Sequence, residues 1–464
     1  MLLYIYNINH YDEMLLGVIC SVAVFSLLCF IFKKERIPLL KKQYFKISNV
    51  FLLGFVIVHY QFYFDLILGN YSIERYDLIV NETIIIKSAI ISTVALTSFC
   101  IGYVLKLNKG YEYIKNVKYR KVVFNLINFK YLIFLFLFLF ILLTPFSYFM
   151  GGYITVERGA FSQYLETFLT LTIISFFVLK TRNLKIENKK VKSLYSFIKA
   201  FGVNLLILIL IYLVLIMMSG DRGPLVSILC VFFGCYFIAS HKKMNIFFVS
   251  LVVIFASILF SFFAYIRHSS DASNFTELIE LSRERQLLLK GNQKSFSPST
   301  FELSKSVRTL HAAVLYTQNN DLSYGKLQAF SLISIFPGAG TIIIPLFDLD
   351  KDELKSTYLL TLYLDKDYGM GTTIVADIWL DFGIIGIIVV FCFFGLFVRK
   401  LDLLMYTDSV LTILTYIVIG VFLARSFSLG RNSLLMMFRD VSFAYLISII
   451  SLFLINSRKN KIIK

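Results

Sequence analysis

This sequence lacks the close-spaced ligand sets of metal sites and the glycine-rich loop of nucleotide sites. Its five histidines form no cluster, and its six cysteines all fall inside apolar stretches, which is typical of small core residues. No Gly-x-x-x-x-Gly-Lys-Ser/Thr segment is present to cradle the phosphates of a nucleotide. We therefore expect no disulfide framework, no resident metal and no cofactor.

Charged residues are also scarce, at 16% of the 464 residues, whereas hydrophobic residues make up 58%. A helix of about 20 apolar residues crosses the roughly 30 Å hydrocarbon core of a bilayer, and runs of this length recur along the chain. They predict an all-α, polytopic integral membrane protein with about eleven transmembrane helices. The predicted spans are residues 14–32, 47–68, 84–105, 130–150, 165–180, 200–218, 224–240, 245–266, 373–398, 408–425 and 434–456.

Basic residues are distributed unevenly between alternate loops. One set of short loops holds 27 Lys and Arg residues, whereas the intervening set holds five. Because basic loops remain on the cytoplasmic side, we expect the N-terminus to lie outside and the C-terminus in the cytoplasm. The net charge of +17 is then explained by topology, and we expect no nucleic-acid partner.

One long segment, 267–371, contains no predicted span and is expected to form a large loop on the outer face. Its eleven basic and twelve acidic residues lack the cytoplasmic charge signature. Within it, 331–347 is interrupted by proline and glycine, which indicates a segment at the membrane surface. An apolar stripe at helical spacing also predicts an amphipathic helix. Its members are Leu303, Val307, Leu310 and Val314. The predicted regions are therefore a transmembrane region, this loop and a second transmembrane region, at 1–266, 267–371 and 372–464.

Polar residues at the predicted outer face are the candidates for chemistry, because the cytoplasmic loops are short and basic. Several also have a purely structural interpretation. Arg222 and Asp221 suit a local ion pair. Arg439 and Asp440 suit another at a helix entrance. His311 suits a boundary position on its helix as well as it suits a catalytic one.

Arginine predominates among these candidates, and its planar guanidinium binds phosphate through two parallel hydrogen bonds. Arginines around a lipid pyrophosphate would stabilise the charge of that leaving group without a metal. A nearby histidine would accept the proton of an attacking hydroxyl. We therefore predict metal-independent catalysis by Arg222, Arg308 and His311. The predicted substrate-binding residues are Arg158, Asp221, Asp367, Tyr368, Arg425, Arg431 and Arg439.

The chain resembles the bacterial O-antigen, or oligosaccharide repeat-unit, polymerases of the Wzy type. The resemblance covers nearly the full length and includes the many spans, one long outer loop late in the chain and a basic cytoplasmic face. Locally it rests on two short segments and the residues that follow the second. These are Ser219-Gly220-Asp221-Arg222-Gly223-Pro224-Leu225 and Gly369-Met370-Gly371-Thr372-Thr373, followed by Asp377, Asp381-Phe382-Gly383 and Gly386.

This resemblance implies a GT-C-like membrane glycosyltransferase of the bacterial cytoplasmic (inner) membrane. Such an enzyme would polymerise undecaprenyl-pyrophosphate-linked oligosaccharide repeat units into O-antigen or capsule-type polysaccharide. The reaction would take place at the outer face, among membrane lipid and with a chain-length regulator as a partner protein. Two other functions stay open at this point. One is a polysaccharide flippase or other transporter, although no internal hydropathy repeat is found. The other is an O-antigen ligase, which shares the layout and the donor type.

Overall fold

Helices form almost all of the regular structure. The computed structural model describes residues 12–33, 35, 40, 43–70, 82–105, 122–150, 156–189, 191–240, 277, 280, 295, 298–333, 335–336, 339–347, 354–366, 369–407, 410–453 and 461–462. The eighth predicted span, 245–266, lies outside these residues, as do the binding candidates Asp367 and Tyr368.

The helices, in chain order, are α1 (Glu13–Phe32), α2 (Ile47–Ile67), α3 (Glu82–Val104), α4 (Ile127–Leu143), α5 (Phe146–Phe149), α6 (Ala160–Ile186), α7 (Leu194–Phe201), α8 (Val203–Ser219), α9 (Gly223–Ser240), α10 (Pro298–Ser304), α11 (Val307–Asn319), α12 (Lys326–Ile333), α13 (Ala339–Leu346), α14 (Ser356–Tyr363), α15 (Ile374–Tyr406), α16 (Ile413–Arg425) and α17 (Met436–Phe453). A 3₁₀ turn covers Leu429–Arg431 between α16 and α17. One short antiparallel pair joins β1 (Val122–Val123) to β2 (Lys461–Ile462).

The prediction of an all-α polytopic membrane protein is confirmed. Every predicted span except 245–266 coincides with a helix. Within the described residues, six helices are long and apolar enough to cross a membrane, namely α1, α2, α3, α6, α9 and α15. The pair α7–α8 makes a seventh if its 95° bend lies within one span. Helices α4 and α16 are apolar but shorter. Helix α4 ends at Leu143, and Thr144, which precedes Pro145, is extended, because proline disfavours helical backbone in the residue before it.

Helices α3 and α15 pack against each other more extensively than any other pair, because glycines allow their backbones to approach closely. A methyl group on Gly102 would lie 2.0 Å from the carbonyl oxygen of Cys392, and one on Gly395 would lie 2.3 Å from that of Phe99. Helix α6 occupies a second centre of packing and contacts α4, α9, α16 and α17.

Helix α15 extends further than its predicted span because its charged residues are satisfied by the neighbouring helices. Asp402 accepts hydrogen bonds from the Ile47 backbone N–H at 2.9 Å and from the Tyr103 hydroxyl at 2.9 Å. Arg399 donates to the carbonyl oxygen of Tyr103 at 2.6 Å. Arg399 and Asp402, whose charges indicated the end of a span in the sequence, therefore lie within α15.

A kink at Gly383 divides α15, with φ 58° and ψ −151°, a conformation that essentially only glycine adopts. The break leaves the carbonyl oxygen of Leu380 to accept a hydrogen bond from the Ser323 backbone N–H at 2.8 Å. The Asp381 carboxylate beside it accepts hydrogen bonds from the backbone N–H groups of Gly325, Leu327 and Gln328 at 3.2, 3.2 and 2.8 Å. The start of α12 is thereby fixed to the bundle.

The described part of the segment 267–371 is mostly helical. The predicted amphipathic stripe forms two helices, α10 and α11, because the chain turns at Lys305–Ser306. On α11, Val307, Leu310 and Val314 are buried, as the stripe predicts. Helix α13 and its flanks expose several large apolar side chains, which suits the predicted position at a membrane surface. These are Phe336, Ile342, Leu346 and Phe347.

Candidate active site

A polar cavity of about 450 Å³ lies where the start of α6, the α8–α9 turn and the end of α16 meet. Helices α2 and α10 complete its wall. Its volume is within the roughly 300–1,000 Å³ usual for ligand pockets. Charged and amide side chains are concentrated in the wall, which is unusual among apolar helices and marks a functional site. They are Glu166, Asp221, Arg222, Arg425, Arg431 and Asn432.

The turn between α8 and α9 presents Asp221 and Arg222 to this cavity. Gly220 adopts the left-handed conformation, with φ 84°, and ends α8. The Asp221 carboxylate then accepts a hydrogen bond from the Gly223 backbone N–H at 2.9 Å, and Pro224 occupies the first turn of α9. The glycines and the proline therefore set the turn geometry, and Arg222 forms part of the cavity wall.

Arg158 is linked to the cavity by Glu166, an acidic residue that was not among the candidates predicted from the sequence. Arg158 forms a salt bridge with Glu166, and its guanidinium lies over the Tyr148 ring, 4.0 Å from the centroid. Glu166 is buried and lines the cavity. The sequence did contain a signal for it, because Glu166 falls within the predicted span 165–180, where an ionisable residue is costly unless it has a role.

The end of α16 and the start of α17 hold the remaining arginines. Arg425 donates from Nε to the Asp440 carboxylate at 2.9 Å. The Arg439 guanidinium approaches the other oxygen of Asp440 at 3.6 Å. The predicted Arg439–Asp440 pair is therefore present, but the shorter contact of this buried carboxylate is with Arg425. Asp440 thus orients an arginine of the cavity wall.

A second cavity, of about 280 Å³, adjoins the first. Arg431, Asn432 and Met436 line both. The second cavity also contains Arg439 and the buried carboxylate of Asp377, which accepts hydrogen bonds from the hydroxyls of Ser356 and Thr372. The two cavities share Arg431, Asn432 and Met436 and lie at the start of α6 and α9, the end of α16 and the start of α15 and α17.

Two of the predicted catalytic residues lie elsewhere. His311 is 1% exposed, and its Nε2 atom lies 3.0 Å from the Tyr63 hydroxyl. Burial, with smaller contributions from His59 and Arg308, lowers the pKa of His311 to about 3, so that its ring is neutral and weakly basic. Arg308 donates to the Lys305 carbonyl oxygen at 3.3 Å. Neither residue lines the two cavities.

The structure thus gathers some of the predicted site residues and separates others. Arg222, Asp221, Arg425 and Arg431 share one cavity, and Arg439 lines the adjoining one. Arg158 is linked to the first cavity by Glu166. The predicted roles of all these residues stay predictions.

These features define a polytopic helical membrane protein whose helix ends enclose an arginine-lined polar site. The chain matches the family of the O-antigen polysaccharide polymerase Wzy over residues 1–461 and belongs to that family. It is therefore a membrane-embedded polysaccharide polymerase, and its family acts on lipid-linked oligosaccharide repeat units. No curated protein and no solved structure matches the chain.

Proposed function

We propose that this polymerase transfers the growing glycan from undecaprenyl pyrophosphate to the next lipid-linked repeat unit at the outer face of the cytoplasmic membrane. The observation that carries the proposal is the convergence of Arg222, Arg425 and Arg431 on one cavity, from elements far apart in the sequence. Arginines in a site shielded from bulk water bind a pyrophosphate strongly and remain charged at any physiological pH.

In this proposal the arginines act on the leaving group. When the bond between the anomeric carbon and the pyrophosphate breaks, negative charge develops on the pyrophosphate oxygens. The Arg425 guanidinium is already held in place by Asp440 and stabilises that charge without reorganisation. Arg222 and Arg431 add positive charge from the same cavity wall. No metal is required for this role. A chain-length regulator would act on the same reaction from outside the site, as a partner protein.

Metal independence is tested with purified protein in lipid vesicles and undecaprenyl-pyrophosphate-linked repeat units. We expect polymerisation to persist in excess EDTA, because arginines supply the positive charge. The products are resolved as a ladder on a gel, and a metal-dependent glycosyltransferase assayed in the same buffer is the control. Loss of activity that Mg²⁺ or Mn²⁺ restores would contradict the prediction and would direct attention to Asp377 and Asp381.

Alkaline phosphatase fusions test on which side of the membrane the proposed site lies. A fusion at Asn320, after α11, is expected to be active, and one at Asn188, after α6, is expected to be silent. The physical reason is the positive-inside rule, since Asn188 lies in one of the basic loops, close to Lys185, Lys189 and Lys190. Immunoblots provide the control that both fusions accumulate. An active enzyme at Asn188 would place the proposed site on the cytoplasmic side.

A further inference from the structure

The second cavity differs in chemistry from the first. Several hydroxyl and amide side chains line it, together with the aromatic ring of Phe330 and the basic residues Lys355, Arg431 and Arg439. The hydroxyl and amide groups belong to Ser331, Ser356, Thr357, Thr372, Asn432 and Ser433. Neutral donors and acceptors beside an apolar ring face are suited to a sugar, whose hydroxyls need partners on several sides and whose C–H face packs on apolar surface.

Asp377 places a carboxylate in the wall of the second cavity. Its carboxylate is 4% exposed, lines this cavity and is held by the hydroxyls of Ser356 and Thr372, both on its Oδ1 atom. Two donors on one oxygen fix the orientation of the group. The basic residues Lys355, Arg431 and Arg439 line the same cavity.

We infer that the second cavity binds the terminal sugar of the acceptor repeat unit, with Asp377 accepting the proton of the attacking hydroxyl. This inference rests on the proposed function, which places the donor pyrophosphate on the arginines of the first cavity. Arg431 and Asn432 line both cavities, so the reacting atoms meet beside them. The assignment places a carboxylate base next to the pyrophosphate site, whereas His311 lies outside both cavities.

The reaction between the two cavities is a displacement of pyrophosphate from the anomeric carbon. The hydroxyl oxygen of the acceptor sugar bonds to the anomeric carbon of the donor sugar. The bond from that carbon to the pyrophosphate oxygen breaks, and its electron pair leaves with undecaprenyl pyrophosphate. The hydroxyl proton passes to the Asp377 carboxylate and then to water.

The test separates donor binding from chain extension. Purified protein in lipid nanodiscs is titrated with undecaprenyl pyrophosphate and separately assayed for extension of undecaprenyl-pyrophosphate-linked repeat units. Asp377→Asn keeps the size of the side chain and one accepting oxygen. We expect it to bind undecaprenyl pyrophosphate within about twofold of the unaltered protein and to extend chains about 10²–10⁴-fold more slowly, the usual contribution of a general base. The matched control is Asp321→Asn, which changes an exposed carboxyl after α11.

Two further measurements exclude a merely structural role. The extension rate of the unaltered protein should fall as the pH is lowered and Asp377 becomes protonated, whereas the residual rate of Asp377→Asn should not show this dependence. Ser433→Phe, which fills the second cavity, should abolish extension and retain binding of undecaprenyl pyrophosphate.

Normal extension by Asp377→Asn or by Ser433→Phe would overturn the inference, as would a loss of undecaprenyl pyrophosphate binding in either variant. If the unaltered protein bound no undecaprenyl pyrophosphate, the proposed function itself would fail, and this result is distinct from the others.

Discussion

Arg222→Lys is expected to accumulate in the membrane at the normal level and to lose about 10²–10³-fold in polymerisation rate, the usual effect of removing one oriented donor from a dry site. Lysine retains the positive charge but not the planar fork that holds two phosphate oxygens at once. Because the α8–α9 turn is set by its glycines, its proline and Asp221, the substitution leaves the fold of the turn intact. Cells that carry the variant should display surface glycan with a single repeat unit instead of a ladder.

The matched control for this prediction is Arg308→Lys, the same change at a residue that does not line the cavity. We expect its ladder to be close to normal. His311→Ala in the same assay tests the prediction that His311 is the base. A normal ladder from Arg222→Lys would show that Arg222 has a topological or ion-pairing role. A lost ladder from Arg308→Lys would support the predicted catalytic role of Arg308.

Asp440→Ala is expected to have the largest effect on stability. It removes the partner of Arg425 and leaves that guanidinium in a mostly buried position, and breaking one side of a buried pair commonly costs about 3–5 kcal/mol. The protein should accumulate poorly and unfold at a lower temperature in detergent. Membrane immunoblots and a thermal unfolding curve measure the two effects.

A double variant then separates structure from chemistry. Arg425→Met together with Asp440→Leu removes both charges and fills a similar volume, which is often neutral or stabilising for a buried pair. Abundance should therefore recover, whereas the ladder should not, since Arg425 would no longer bind the pyrophosphate. A double variant that polymerised normally would reduce Arg425 to an ion-pair residue.

The helices could largely be predicted from the sequence, because apolar runs of spanning length determine them directly. Two details could not. The charges of Arg399 and Asp402 suggested the end of a span, yet α15 continues to Tyr406 because Tyr103 and the start of α2 satisfy them. The bend between α7 and α8 depends on Gly202, with φ 91°, and one glycine inside an apolar run is a weak signal.

The sequence could predict the residue types of the site but not which of those residues lie together. The predominance of arginine among the outer-face candidates pointed to Arg222, Arg425 and Arg431, which share a cavity. Arg308 and His311 have the same residue types and occupy the same predicted face, but α11 buries His311 against Tyr63. Which loops converge is decided by tertiary packing, which no local pattern records.

The Gly383 kink has a consequence for exchanging parts between relatives. Leu380 and Asp381, just before the Gly383 break in α15, accept hydrogen bonds from the backbone that leads into and starts α12. The Trp379 indole donates to Thr317 at 2.9 Å. Residues 298–366 are therefore not a detachable module. A chimera that replaces this segment with that of another polymerase should fold only if the residues equivalent to 377–383 are taken from the same polymerase. The boundary of a workable exchange therefore lies inside a membrane helix.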